Sequence, residues 1–180
     1  MLEIKTPSCE FFDEDKGEFI TIHEQTLKME HSLISISKWE SKWCTPFFSR
    51  EPKTTEQLFD YFRCMTITQV NPLTYLCLDD NNIKQIDEYI NSKQSAVIFY
   101  NMDNGGGAPK EKITSELIYY WMVALNIPLE CEKWNINRLF NLIRICNIKS
   151  QPPKKLSEEE VAERNRRLNE ERKKRFNSKG

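Results

Sequence analysis

Apolar and polar positions follow three successive patterns along the chain. At the start they alternate. Leu2-Glu3-Ile4, the acidic turn Asp13-Glu14-Asp15-Lys16-Gly17 and the return Phe19-Ile20-Thr21-Ile22 predict a β-hairpin. Leu27, Met29 and His31 extend the alternation into a further strand. From about Ser32 the spacing becomes helical, with Leu33, Ile36, Trp39 and Trp43 near one face. Thr54 and Gln57 form a capping box, in which each side chain reaches the other's backbone N–H. The stripe Leu58, Phe59, Phe62 and Met65 continues that helix. A short turn or helix after Asn71-Pro72 holds Leu73, Leu76 and Leu78, and Asp80 or Asn81 then caps a helix carrying Ile83, Ile86 and Ile90.

Ser95 to Tyr100 reads as a strand, and the loop that follows to Pro109 contains the flexible triplet Gly105-Gly106-Gly107. From Ile113 to Asn126 apolar residues surround most of the helix circumference, which predicts a helix buried from several sides and ended by Pro128. The next helix, Glu132 to Asn147, has Ile136, Leu139, Phe140, Ile143 and Cys146 on one side and Asn137, Asn141 and Arg144 on the other. Pro152-Pro153 breaks the pattern. Beyond it Ser157 and Glu160 form a second capping box, stapled by Leu156 and Val161. Four acid-first pairs follow at i, i+4, each contributing only about 0.2–0.5 kcal/mol. The expected fold is α+β and mostly helical: an N-terminal β-hairpin, a helical core within a globular domain 1–150, and a charged, extended helical C-terminal arm, 151–180.

Charge sharpens that division. Residues 151–180 hold ten Lys/Arg and six Asp/Glu, net +4, whereas residues 1–150 hold sixteen and twenty-one, net −5. The N-terminus has no basic start followed by an apolar run, so no signal peptide is expected. The apolar stretch Leu117 to Ile127 is too short for a bilayer, which takes about 20 residues. No membrane partner is expected, and the cytosol is the default compartment. The six cysteines are widely spaced in apolar sequence without a C-x-x-C pair, the pattern of buried free thiols rather than of a disulfide framework or a zinc site.

Catalytic signatures do not emerge. His23-Glu24 and Glu30-His31 lack the H-E-x-x-H spacing, the glycine triplet is not a phosphate-binding loop, and in the adjacent acids Asp79-Asp80, whose side chains point in different directions, helix capping explains Asp80 more simply than cation binding. The expectation is a non-enzyme with no catalytic residues, no metal ligands and no cofactor. Trp39 and Trp121 fit a core. Trp43, followed by Cys44-Thr45-Pro46-Phe47-Phe48, reads either as core or as an aromatic partner anchor, with Phe47 and Phe48 beside it. In the arm Arg164, Arg167, Leu168, Arg172 and Phe176 are candidate partner contacts. The interleaved glutamates and the missing row of aromatics speak against nucleic acid.

The stretches Glu30 to Trp43, Ile113 to Met122, Glu132 to Leu139 and the closing Leu168-Asn169-Glu170-Glu171-Arg172…Ser178-Lys179-Gly180 resemble small morphogenesis proteins of tailed bacteriophages, over most of the chain. The resemblance implies a tail assembly chaperone that binds the tape-measure protein, or another tail protein, before tail-tube polymerisation, with a possible homo-oligomer and a host-cytoplasmic location. The alternative it leaves is a structural virion protein of the neck, tail or baseplate, hence located in the virion.

Overall fold

A computed structural model describes residues 1–14, 17–97, 112–150 and 158–176, with only the backbone of 158–161. The chain is α+β and mostly helical, and it divides into two units, Met1–Asn147 and Ile148–Gly180. The strands are β1 (Leu2–Thr6), β2 (Cys9–Asp13), β3 (Glu18–Ile22) and β4 (Gln25–Met29). The helices are α1 (Leu33–Trp43), α2 (Thr55–Met65), α3 (Asp80–Asn91), α4 (Ser115–Ala124), α5 (Ile136–Ser150) and α6 (Glu158–Phe176). Two 3-10 turns, Pro72–Cys77 and Leu129–Lys133, join α2 to α3 and α4 to α5.

The strand pairing differs from the expected hairpin. Leu2–Ile4 does not pair with Phe19–Ile22: β1 pairs antiparallel with β4, Leu2 opposite Met29, and β2 pairs with β3, Cys9 opposite Ile22. The two ladders share one register, so they are the near and far halves of a single ribbon. They are separated where Pro7-Ser8 faces His23-Glu24. Pro7 has no N–H to give to a ladder, which favours a break there. Across the break the inward set changes parity. Ile4 and Thr6 point inward on β1, but Cys9 and Phe11 are the more buried positions on β2. Leu27 and Met29 are inward on β4, and Ile20 and Ile22 on β3. The ribbon therefore turns over at Pro7-Ser8. Gly17, at φ +68°, supplies the left-handed residue of its far turn, with its N–H on the Asp13 carbonyl at 2.8 Å. His31 lies beyond β4, buried rather than in a strand.

Helix starts follow local chemistry. Ser32 caps α1, and Thr54 with Gln57 forms the expected box on α2. The cap of α3 is Asp79, just before the expected Asp80 or Asn81. Its carboxylate accepts from Asn82 N at 2.7 Å, and the Asn82 side chain returns to the Asp79 N–H. Helix α4 stops at Ala124, before Pro128, because Asn126 takes a left-handed φ of 52°. It is also less buried than its composition implies: Ile118 and Met122 are fully buried, but Tyr120 and Val123 are 66% and 65% exposed. Residues 129–133 form a 3-10 turn, so α5 begins at Ile136 rather than near Glu132. Ser95–Val97 joins no ladder, and the rest of that expected strand, the glycine loop, Pro152-Pro153 and the side chains of the second capping box lie outside the described residues.

One core unites the first unit. Ile4, Leu27 and Met29 from the near ribbon meet Leu33, Ile36 and Trp39 of α1, Tyr61 and Met65 of α2, Ile86 of α3, Ile118 and Met122 of α4, and Ile136 and Leu139 of α5. Burying such side chains contributes roughly 1.5–3 kcal/mol each before chain entropy is counted. Polar groups inside are paired: among the described residues no buried side-chain nitrogen or oxygen lacks a partner. Asn137, read as part of an outward stripe, holds the end of α3 in place, its amide donating to the Ile90 and Ser92 carbonyls at 2.9 and 2.8 Å.

Candidate functional site

The aromatic segment after α1 packs against the body. Cys44 ends the helix in a left-handed conformation, which folds Thr45–Phe48 back onto α1. Phe47 is buried, with its ring 5.3 Å from Trp39, 4.3 Å from Tyr61 and 6.1 Å from His31. Its N–H donates to Glu40 Oε1 at 2.7 Å, and its carbonyl accepts from Lys53 Nζ at 2.7 Å. Burial lowers the Lys53 pKa, and the ammonium sits 4.3 Å from the Phe47 ring centre. Phe47 is thus a core residue, already enclosed by its own chain. Phe48 is half-buried and meets Phe140 of α5 at 5.5 Å.

Trp43 is half-buried, and its indole N–H donates to Asp60 Oδ2 at 2.9 Å. Asp60 also receives Lys42 Nζ at 2.5 Å and faces Arg63 at 3.9 Å. Burial alone would raise the Asp60 pKa. The hydrogen bonds from Lys42 and Trp43, with the charges of Lys42 and Arg63, outweigh it and hold the carboxyl below its usual range. This network fastens α1 to α2, so Trp43 has a structural partner before any external one.

An exposed aromatic surface lies instead at the far end of the ribbon. Phe12 of β2 and Phe19 of β3 are direct cross-strand partners with ring centres 5.1 Å apart. They are 55% and 72% exposed. Their opposite face carries Phe11, Ile20 and Ile22, which are half-buried or buried. Glu10, Glu14 and Glu18 are exposed around the pair. Two adjacent apolar rings within an acidic border suit a partner with an apolar ridge and basic flanks. Adjacent Phe11 and Phe12 hide the alternation of β2, so the exposed pair is not legible in the sequence pattern.

The remaining candidates, Arg164, Arg167, Leu168, Arg172 and Phe176, all lie on α6 and belong to the second unit. Arg164, Leu168, Arg172 and Arg175 recur at i, i+4, i+8 and i+11, one face of a helix. Leu168 and Phe176 are exposed, and the Arg175 guanidinium lies 5.9 Å from the Phe176 ring centre. This face has the converse character of the ribbon tip: apolar points among cations.

The described residues contain no helix long and apolar enough to cross a membrane, and no group of three His, Cys, Asp or Glu placed to hold a metal ion. Fold and surfaces together define a mostly helical α+β chain with an acidic aromatic tip and a basic helix. No protein-family model, curated protein or solved structure matches it.

Proposed function

We propose that this protein works by binding other proteins, as a non-enzymatic phage tail assembly factor that masks the tape-measure protein before the tail tube forms. The observation that carries the binding role is the exposed Phe12–Phe19 pair in its acidic border. Two large rings held in water are costly unless covered for part of the protein's life. A tape-measure chain presents long amphipathic helices, whose apolar stripes suit an aromatic tip. The α6 face offers a second contact for acidic partners. The phage assignment itself rests on the sequence resemblance.

The test is co-expression with the tape-measure protein of the same phage. Recovery of a complex is expected, weakened roughly thirtyfold in Phe12→Ser/Phe19→Ser, as loss of an aromatic anchor of about 2 kcal/mol implies. Failure to recover any complex overturns the chaperone reading. An unweakened complex in the double variant moves the site elsewhere. Mass spectrometry of lysate and purified particles separates the roles. A chaperone is found in lysate alone, whereas fixed copy number in particles makes the protein a virion component.

A further inference from the structure

Two surfaces of this chain set exposed apolar side chains among charges of opposite sign. Around the far turn of the ribbon, residues 10–18 hold five Asp/Glu and one Lys. Glu10 lies two residues before Phe12 and so shares its face of the strand, and Glu14 is exposed just beyond it. On α6 the balance is reversed: residues 163–176 hold seven Lys/Arg and three Glu. Leu168 is the apolar centre of its face, with Arg164, Arg172 and Arg175 at i−4, i+4 and i+7. Glu171, at i+3, is the acid on the margin of that face. Within one chain Phe12, Phe19 and Leu168 are all exposed, which leaves each surface open to another molecule.

We propose that α6 of a second copy of this chain docks on the Phe12–Phe19 tip, with Leu168 on the rings and Arg164, Arg172 and Arg175 towards the acidic border.

Charge selects this crossed pairing. Two tips face to face would set Glu10, Glu14 and Glu18 of one copy against the same residues of the other. Two α6 faces would set three arginines around Leu168 against three more. Like charges brought together in this way are unfavourable, whereas a tip against a helix face opposes acids to arginines around an apolar contact. The rings lie side by side with centres 5.1 Å apart and present one apolar platform to the leucine. A single helix face on two rings is smaller than a standard interface, so the association is weak and depends on concentration. Occupied in this way, the tip is shielded from water while no other partner is present.

The inference rests on the ribbon tip being a docking surface, and it names an occupant that requires no other protein. The experiment is sedimentation velocity of the full chain over a wide concentration range. A thiol reductant is included so that the free cysteines, the exposed Cys44 among them, do not cross-link. The variants are Phe12→Ser/Phe19→Ser and Leu168→Gln/Arg172→Gln. All four side chains are exposed, so both variants should keep the circular dichroism of the wild type. The wild-type average mass should rise with concentration. Association should weaken about tenfold on going from about 0.05 M to about 0.5 M salt, as exposed charges are screened. Each variant alone should stay monomeric. An equal mixture of the two should associate again, because one retains the helix face and the other the tip. Wild type that is monomeric at every concentration overturns the proposal, as does association indifferent to salt. Self-association that survives in either variant alone also overturns it, since like surfaces then pair. If wild type stays monomeric while Phe12→Ser/Phe19→Ser still weakens tape-measure capture, the second copy fails as occupant and the tip reading stands. If the mixture associates as expected but capture is unweakened in that variant, the tip serves self-association and the tape-measure site lies elsewhere.

Discussion

Glu40 shows how one side chain organises its surroundings. Its two carboxylate oxygens accept the Phe47 and Ser115 N–H groups, both at 2.7 Å, in a buried position. Ser115 N belongs to the open first turn of α4, so a residue on α1 satisfies a donor that the helix cannot satisfy itself. Glu40→Ala leaves two buried donors without acceptors and should cost about 3 kcal/mol, read as a lower urea midpoint by tryptophan fluorescence. An unchanged midpoint would mean that water replaces the carboxylate at no cost. His31 is the second such residue. It is hydrogen-bonded to the Tyr61 hydroxyl inside the core, and burial lowers its pKa to about 4, against a smaller upward pull from Glu30. An unfolded histidine titrates near 6.5. Between these values the unfolded chain takes up a proton that the folded chain refuses. This contribution is complete above about pH 6.5 and is lost as pH falls towards about 4, to a total of about 3 kcal/mol. The difference in unfolding free energy between wild type and His31→Gln should therefore shrink between about pH 7.5 and about pH 5. A pH-independent difference would mean that His31 titrates alike in the folded and unfolded chain.

At the scale of elements, the ribbon has two unequal halves. The near half places Ile4, Leu27 and Met29 in the main core, while among the described residues the far half buries only Ile22 and ends in exposed rings. Local opening tracks buried apolar contact. Hydrogen exchange should therefore be faster for amides of β2 and β3 than for those of β1 and β4 under reducing conditions. Equal protection in the two halves would contradict an articulated ribbon. Helix α4 is the other element whose character depends on placement. Its composition reads as a fully surrounded helix, yet only the side bearing Ile118 and Met122 has neighbours that bury it completely.

For the whole molecule, the first unit has a single core to which the near ribbon and α1–α5 all contribute. All four tryptophans lie within it. Tryptophan fluorescence and near-ultraviolet circular dichroism should consequently trace one coincident unfolding transition in urea. Separate midpoints would divide the unit into independent parts. The second unit contains α6, where apolar residues are few.

Much of this was determined by the sequence itself. Element type and helix starts are local matters, decided within one turn by spacing and by side chains that reach their own backbone. The Thr54–Gln57 box, the α1 and α2 stripes and the charge change between 1–150 and 151–180 could accordingly be read directly, as could the α+β, mostly helical class. Only the tertiary structure decided which strands pair, because one ribbon and a short hairpin demand the same local alternation and differ in contacts across the chain. It enclosed Phe47 and exposed Phe12 and Phe19. Burial depends on what the rest of the chain brings to a side chain, and no window of neighbouring residues contains that information.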